Sequence, residues 1–272
     1  MSTRFKSVLL TAVVVLLTAG LSKAVVGQLV LYDNFRSARI DPSKWVGTFG
    51  DQDQLEVVRT LVGEEGDRHL RLSQTAYSAT TDDFGSSGNI FGLQFSAPGA
   101  IKEAFFTVIV NRADAVGCTS NSQPTLTGPE FRGRFFNTES SPTSSLGDVE
   151  VGIGPSRTST DAGSAMQVVF HYERCTDDFC GTRTPLGVGV LGYVQPGTAN
   201  AYHIKWDQPN HRFVFQLNND PLVLSPYTVS DSSVAFFSYR AIDIARVVPH
   251  CTTTPRPFAS VDAFVSNVYV NP

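Results

Sequence analysis

The sequence predicts an all-β protein, built as a sandwich or a barrel. Short segments rich in β-branched and aromatic residues recur along the chain, and apolar and polar positions often alternate within them. Clusters of Gly, Pro, Ser, Asn and Asp separate these segments. After the N-terminal region, no long window shows the i, i+3, i+4, i+7 apolar pattern of an amphipathic helix. About a dozen short strands at this spacing are typical of β-sandwiches and barrels.

The predicted strands follow one another without a linker or an internal repeat, so residues 25–272 are predicted to form a single domain. In chain order they are GQLVLYDNF, LEVVRTL, HLRLSQTAY, NIFGLQFS, AFFTVIVNR, FRGRFFNT, GDVEVGIG, MQVVFHYERC, GVGVLGYV, AYHIKWDQ, RFVFQLN, VAFFSYRAI and AFVSNVYVN.

Alternation within two of these strands predicts which side chains face the core. In YHIKW, Tyr202, Ile204 and Trp206 share one face. In RFVFQL, Phe213 and Phe215 likewise share one face of the strand. Aromatic stripes of this kind are expected to fill the space between two sheets.

The N-terminus has the three parts of a secretory signal peptide. Basic residues at Arg4 and Lys6 precede an apolar run, and a small-x-small pattern ends at Ala24. We expect residues 1–24 to be removed and the mature chain to be secreted, to the extracellular space or the periplasm. A retained N-terminal anchor is the alternative. No second long apolar stretch predicts a membrane span in the mature chain.

The chain has four cysteines, an even number that suits an oxidising compartment. The preferred pairing of the three possible ones joins Cys175 to Cys180 across a short turn and Cys118 to Cys251 across distant segments. A zinc site is the alternative, but paired CxxC or HxxxH spacing is missing.

Composition excludes one class of partner. The formal net charge is −4 and the chain has no run of Lys and Arg. Nucleic-acid binding needs a basic surplus, so it is not expected.

Three segments, in order along the chain, resemble the concanavalin A-like lectin and glucanase superfamily, which includes laminarinase- and licheninase-type glycoside hydrolases. They are LYDNFRSARIDPSKWVG, AYHIKWDQPNHRFVFQLNNDP and VDAFVSNVYV. The resemblance implies a jelly-roll sandwich of two antiparallel sheets, with the last strand beside the first. It also implies calcium near the joined termini, where Asp33, Asp41 and Asp262 are the candidate ligands.

GDVEVGIG lies where that superfamily carries its catalytic strand, which reads Glu-x-Asp-x-Glu or Glu-x-Asp-x-x-Glu. Asp148 stands at the nucleophile position and Glu150 at the supporting position. Gly152 or Ile153 stands where the acid/base would be, and neither can protonate a leaving oxygen. His171 on the next strand is the candidate substitute if it faces the cleft.

A structural interpretation competes with the catalytic one. Arg132 and Arg134 share a face of the preceding strand, so they are predicted to form cross-strand ion pairs with Asp148 and Glu150. Arginine neighbours would lower carboxyl pKa values, the wrong direction for a general acid.

Glycan binding is a third use of the same face. Rings that could stack on sugars are Tyr172, Tyr193 and Trp206, and Arg132 and Arg134 could bind hydroxyls. The leading hypothesis is therefore a secreted, non-catalytic carbohydrate-binding or cell-surface interaction module, with a polysaccharide or cell-surface glycan as partner. A divergent hydrolase of β-glucans is the first alternative, with Asp148, Glu150 and His171 as its catalytic residues. A structural component of an extracellular assembly is the second.

Overall fold

The computed structural model describes residues 28–47 and 55–272. The predicted signal peptide, residues 1–24, lies outside this part of the chain. Among the described residues no helix is long and apolar enough to span a membrane.

The described residues form fifteen strands and two one-turn 3₁₀ helices, Pro98–Ala100 and Gln208–Asn210. In chain order the strands are β1 (Val30–Asp33), β2 (Trp45–Gly47), β3 (Leu55–Val62), β4 (His69–Tyr77), β5 (Ser86–Phe95), β6 (Glu103–Val116), β7 (Leu126–Asn137), β8 (Asp148–Thr158), β9 (Met166–Cys175), β10 (Arg183–Val194), β11 (Ala199–Asp207), β12 (Arg212–Leu217), β13 (Val223–Pro226), β14 (Ser233–Pro249) and β15 (Phe258–Val270).

These strands form two antiparallel sheets. The eight-stranded sheet has the order β13-β12-β11-β6-β15-β4-β3, with β1 paired to β15. The seven-stranded sheet has the order β10-β9-β8-β7-β14-β5-β2. The predicted all-β jelly-roll sandwich of two antiparallel sheets is confirmed in this architecture. The last strand lies beside the first, since Val270 pairs with Val30.

Each of the predicted strand segments overlaps an observed strand. Two observed strands, β2 and β13, were not predicted because three or four residues are too few to show alternation. The β11–β12 hairpin forms as the resemblance implied, with Tyr202 paired to Leu217 and Asp207 paired to Arg212.

The hydrophobic core lies between the two sheets and is largely aromatic. The rings of Phe170 from β9 and Phe215 from β12 stack across the gap, with 4.3 Å between centroids. The predicted inward faces are confirmed, because Tyr202, Ile204 and Trp206 are all buried. Stacked and edge-on ring pairs of this kind add to the energy of apolar burial.

The N-terminal segment is tied to the sandwich through Trp45. Its indole is buried, and its ring centroid lies 4.6 Å from that of Phe95. Its Nε1 donates a 2.8 Å hydrogen bond to Oδ2 of Asp33. Asp33 thus joins the ends of β1 and β2, and the buried indole N–H has the partner that it requires.

Both predicted disulfides form. Cys118 is joined to Cys251, 133 residues later, and Cys175 is joined to Cys180. No free cysteine remains. The first bond fixes the loop before β7 to the segment after β14, while the second closes only the turn between β9 and β10.

The two disulfides should differ in their effect on stability. The entropy model of cross-links gives roughly 5 kcal/mol for a loop the size of Cys118–Cys251 and roughly 2 kcal/mol for Cys175–Cys180. We expect the Cys118→Ala/Cys251→Ala variant to lose more free energy of unfolding than Cys175→Ala/Cys180→Ala, as measured by denaturant titration. Equal losses would contradict the entropic explanation.

Candidate functional site

Strand β8 presents different chemistry on its two faces. Val149, Val151 and Ile153 point into the core and are fully buried. The opposite face, on the outside of the seven-stranded sheet, carries Asp148 and Glu150, followed by Gly152 and Gly154. Of the two candidate positions for the missing acid, Ile153 is therefore a core residue, and only Gly152 stands on the face of the carboxylates.

Asp148 is fully buried and its carboxylate is saturated with partners. Oδ1 accepts hydrogen bonds from Asn137 Nδ2 at 2.7 Å and from the backbone N–H of Phe236 at 2.8 Å. Oδ2 accepts one from the N–H of Phe237 at 3.2 Å and lies 3.5 Å from Arg134 Nη1. A carboxylate held in this way is closed to a substrate, so its role is to hold the start of β14 against β8.

Glu150 is surrounded by guanidinium groups, as the sequence predicted for Arg132 and Arg134. Its carboxylate oxygens lie 3.7 Å from Arg132 Nη1 and 3.4 Å from Arg134 Nε. Arg183 of β10 adds a third contact at 3.2 Å. Burial acts to raise the pKa of Glu150, but Arg132, Arg183 and Arg134 outweigh it and hold the pKa below its ordinary value. Glu150 is thus an ionised anchor for three arginines.

The space above Gly152 is filled from the two neighbouring strands. A Cβ at this position would lie 2.2 Å from Nε2 of His171 and 3.2 Å from Oε2 of Glu130. Those two atoms are themselves 3.6 Å apart. A histidine of β9 and a glutamate of β7 therefore occupy the place where a side chain of residue 152 would stand.

The charge state of this pair follows from its surroundings. Burial alone would lower the pKa of His171, but Glu130, with Glu173 and Glu150 nearby, raises it above the ordinary value. Burial would raise the pKa of Glu130, but Arg132 and His171 lower it. The pair therefore consists of an ionised carboxylate and an imidazole whose raised pKa keeps it protonated to a higher pH than a free histidine.

These residues line an open groove of about 770 Å³ across the outer face of the seven-stranded sheet. Most of the charged side chains lie at one end, and the other end is lined by glycines and apolar side chains together with Ser156 and Arg246. The lining residues are Gly88, Leu126, Gly128, Glu130, Arg132, Gly154, Pro155, Ser156, Val169, His171, Glu173, Arg183, Val188, Ala245, Arg246 and Val247. His171 thus meets the condition that it face a cleft.

Several polar atoms in the groove wall are buried without a hydrogen-bond partner in the described part of the chain. They are Oε1 of Glu130, Nη2 of Arg132, Oγ of Ser156 and Nε of Arg183. Two of these atoms belong to ion pairs, because Oε1 of Glu130 lies 3.3 Å from Arg132 Nε and Nε of Arg183 lies 3.9 Å from Oε2 of Glu173. Atoms that are closed to solvent are also closed to a ligand in the groove unless the side chain rotates, as the hydroxyl of Ser156 can. Ser156 and Arg183 were not singled out from the sequence, since nothing in their spacing distinguishes them from ordinary strand residues.

The predicted aromatic platforms are not assembled in the groove. Tyr172 and Trp206 are buried in the core, where Tyr172 donates to the carbonyl of Pro226 and Trp206 to Tyr227 Oη. Neither ring is open to a sugar, because each lies on the inward face of its strand. Tyr193 is 68% exposed on β10.

The three candidate calcium ligands do not form one donor set. Both oxygens of Asp33 accept hydrogen bonds, from Phe35 N and from Trp45 Nε1, and Asp41 caps its own turn through Ser43. Asp262 lies on β15 in an ion pair with Arg71 at 2.8 Å. Asp33 and Asp41 line one pocket, whereas Asp262 is held by Arg71 on β15, so the three residues do not come together as one donor set. Among the described residues, only Asp83, Cys118 and Cys251 bring three potential ligand atoms together, and both sulfurs are in a disulfide.

The fold and this groove can be compared with known proteins. No protein-family model matches the sequence, and no curated relative matches it. Among solved structures the chain is similar to LamAcat from Zobellia galactanivorans, with a TM-score of 0.46 and 11% identity over 90% of this chain and 97% of that one. It is also similar to a glycoside hydrolase family 16 endo-glucanase from Bacteroides ovatus, with a TM-score of 0.36 and 10% identity over 87% and 97% of the two chains. Lectin II from Ulex europaeus gives a TM-score of 0.32 and 10% identity over 84% and 97%. At these scores the similarities carry no argument about function.

Gly152 and Gly154 give a matched pair of substitutions. A Cβ at Gly154 would lie 2.2 Å from the carbonyl oxygen of Pro129, which the sheet holds in place, whereas at Gly152 it meets the end of the His171 side chain, which can rotate. We expect Gly154→Ala to cost more than about 2 kcal/mol of unfolding free energy and Gly152→Ala clearly less. Denaturant titration of both variants tests this, and the reverse order would contradict the geometry.

The pair of His171 and Glu130 predicts a shifted histidine titration. By NMR we expect the midpoint of His171 to lie above about 6.5, and Glu130→Gln to lower it. Because the folded-state pKa is raised, His171 stabilises the fold at pH values below its unfolded-state pKa, and this contribution is lost as pH rises through the folded pKa. Glu139→Gln, at an exposed position in the β7–β8 loop, is the control. A midpoint that Glu130→Gln leaves unchanged would disprove the coupling.

Proposed function

We propose that this chain is an exported, non-catalytic glycan-binding module whose groove on the seven-stranded sheet holds part of a polysaccharide or cell-surface glycan. The open groove carries the proposal, because its lining includes the polar and charged side chains of Glu130, His171 and Arg183. Sugar hydroxyls both donate and accept hydrogen bonds, so one ligand suits carboxylate, guanidinium and imidazole groups together. The groove volume of about 770 Å³ is within the usual range of small-molecule sites.

The state of the carboxylates supports binding rather than hydrolysis. Asp148 is buried beneath the amides of Phe236 and Phe237, and Glu150 is ionised among three arginines. Retaining hydrolysis needs two accessible carboxyl groups on either side of the sugar bond. Asp148 and Glu150 do not supply them.

The leader-like N-terminus and the two disulfides support export to an oxidising compartment. A glycan outside the cell is then within reach of the module.

Hydrolysis of β-glucans is the second candidate, because one observation favours it. His171 lines the groove with a raised pKa and a carboxylate 3.6 Å away, so it could donate a proton to a leaving oxygen. In that case His171→Gln would abolish the release of reducing sugar.

Ser156 offers a sharp test of the groove. Its hydroxyl oxygen is buried and has no partner within the described structure, so Ser156→Ala should leave the melting temperature unchanged or higher. If the hydroxyl binds the glycan, affinity should fall by up to about tenfold. The control is Ser78→Ala, because the Ser78 hydroxyl is also buried without a partner but does not line the groove.

The wild-type chain and both variants would be screened on a glycan array and titrated by calorimetry with any glycan that binds, beside a reducing-sugar assay on mixed β-glucans. Equal affinities of Ser156→Ala and wild type would remove the Ser156 hydroxyl from the binding site. If wild type releases reducing sugar and His171→Gln does not, the chain is a hydrolase and the proposed binding function is wrong. Neither binding nor hydrolysis would favour a structural role in an extracellular assembly.

A further inference from the structure

Strand β14 interrupts its pairing with β7 to display two phenylalanines. Val234 pairs with Phe136 and Tyr239 pairs with Arg134, so residues 235–238 of β14 face the single residue Phe135 of β7. Phe236 and Phe237 stand in this bulge, and each is 54% exposed. Two adjacent exposed aromatic rings are costly to leave in water unless they serve a contact.

The bulge is held in place by a buried charge. Within the bulge the N–H groups of Phe236 and Phe237 donate instead to the two oxygens of Asp148. Asn137 and Arg134 complete the surroundings of that carboxylate. Charge-assisted hydrogen bonds of this kind are strong, so the backbone that carries both rings is fixed before any ligand arrives.

The bulge lies next to the charged end of the groove. The guanidinium carbon of Arg134 lies 5.4 Å from the ring centroid of Phe237, while Nε of the same residue contacts Glu150. At the other end of the bulge, Tyr239 Oη accepts a hydrogen bond from Arg132, which lines the groove. From Gly152 to Asp148 along β8 is four residues, or about 13 Å. A short stretch of glycan chain covers that distance.

We infer that Phe236 and Phe237 form an aromatic platform on which one sugar ring of the bound glycan stacks, beyond the charged end of the groove. This inference rests on the proposed function. The C–H face of a sugar suits an aromatic ring, and its hydroxyls suit the exposed Ser238 and the Arg134 beside it. The balanced charges next to the rings, Arg134 against Glu150 and Asp148, favour a neutral polar ligand over an anionic membrane surface.

The test compares Phe236→Ala/Phe237→Ala with wild type, using a glycan that the array identifies. Tyr77→Ala is the control, because Tyr77 is an aromatic residue, 41% exposed, on the eight-stranded sheet. We expect the double variant to bind at least about tenfold more weakly, and the control to stay within about twofold of wild type. If the double variant fails to fold, Phe236→Leu/Phe237→Leu keeps the apolar bulk, removes the rings, and should show the same loss.

The outcomes separate this inference from the proposed function. A double variant that binds like wild type, while Ser156→Ala binds weakly, overturns the platform and leaves the groove in place. A wild-type chain that binds no glycan overturns both. Pelleting with phosphatidylcholine–phosphatidylglycerol vesicles, or dimerisation in solution, that is lost in the double variant would assign the rings to a lipid surface or to a second copy of the chain, and would also overturn the inference.

Discussion

The buried carboxylates of strand β8 are the constraint on which the outer face of the seven-stranded sheet depends. Asp148 and Glu150 cannot remain ionised out of water unless neighbouring groups compensate them. Three arginines from β7 and β10 and two backbone amides from β14 provide that compensation. Four strands are thereby tied together on the side of the sheet that has no hydrophobic core behind it. Removal of one partner leaves an uncompensated charge, so the cluster is cooperative.

Because arginines compensate the charge of Glu150, the site contains residues that are already paired and residues that a ligand in the groove can contact. Glu150 is occupied by arginines, whereas Glu130 and His171 face the open groove above Gly152. Because residue 152 has no side chain, groups from the two neighbouring strands share its space. The titratable pair in the groove therefore comes from β7 and β9, and not from β8, which carries Asp148 and Glu150.

Much of the fold could be predicted from the sequence because strand alternation is a local property. The inward faces of β11 and β12, the arginine row on β7 and both disulfide pairs are all confirmed. Less of the site could be predicted. Tyr172 and Trp206 were candidate sugar platforms, yet they are buried, because a ring that suits a ligand also suits a core. Residues such as Ser156 and Arg183 matter only through where the sheet places them.

The sequence by itself determined the all-β class, most of the strands and the charge pattern on β8, since period-two alternation and turn residues act over a few neighbours. Only the tertiary structure decided what those charges do. The register between β8 and β9 sets His171 opposite Gly152, and the bulge in β14 brings the amides of Phe236 and Phe237 onto Asp148. Register and bulges arise from pairing between strands far apart in the chain, and no local pattern specifies them. Asp148 and Glu150 match part of a catalytic strand in the sequence, but in the folded molecule they hold neighbouring strands together.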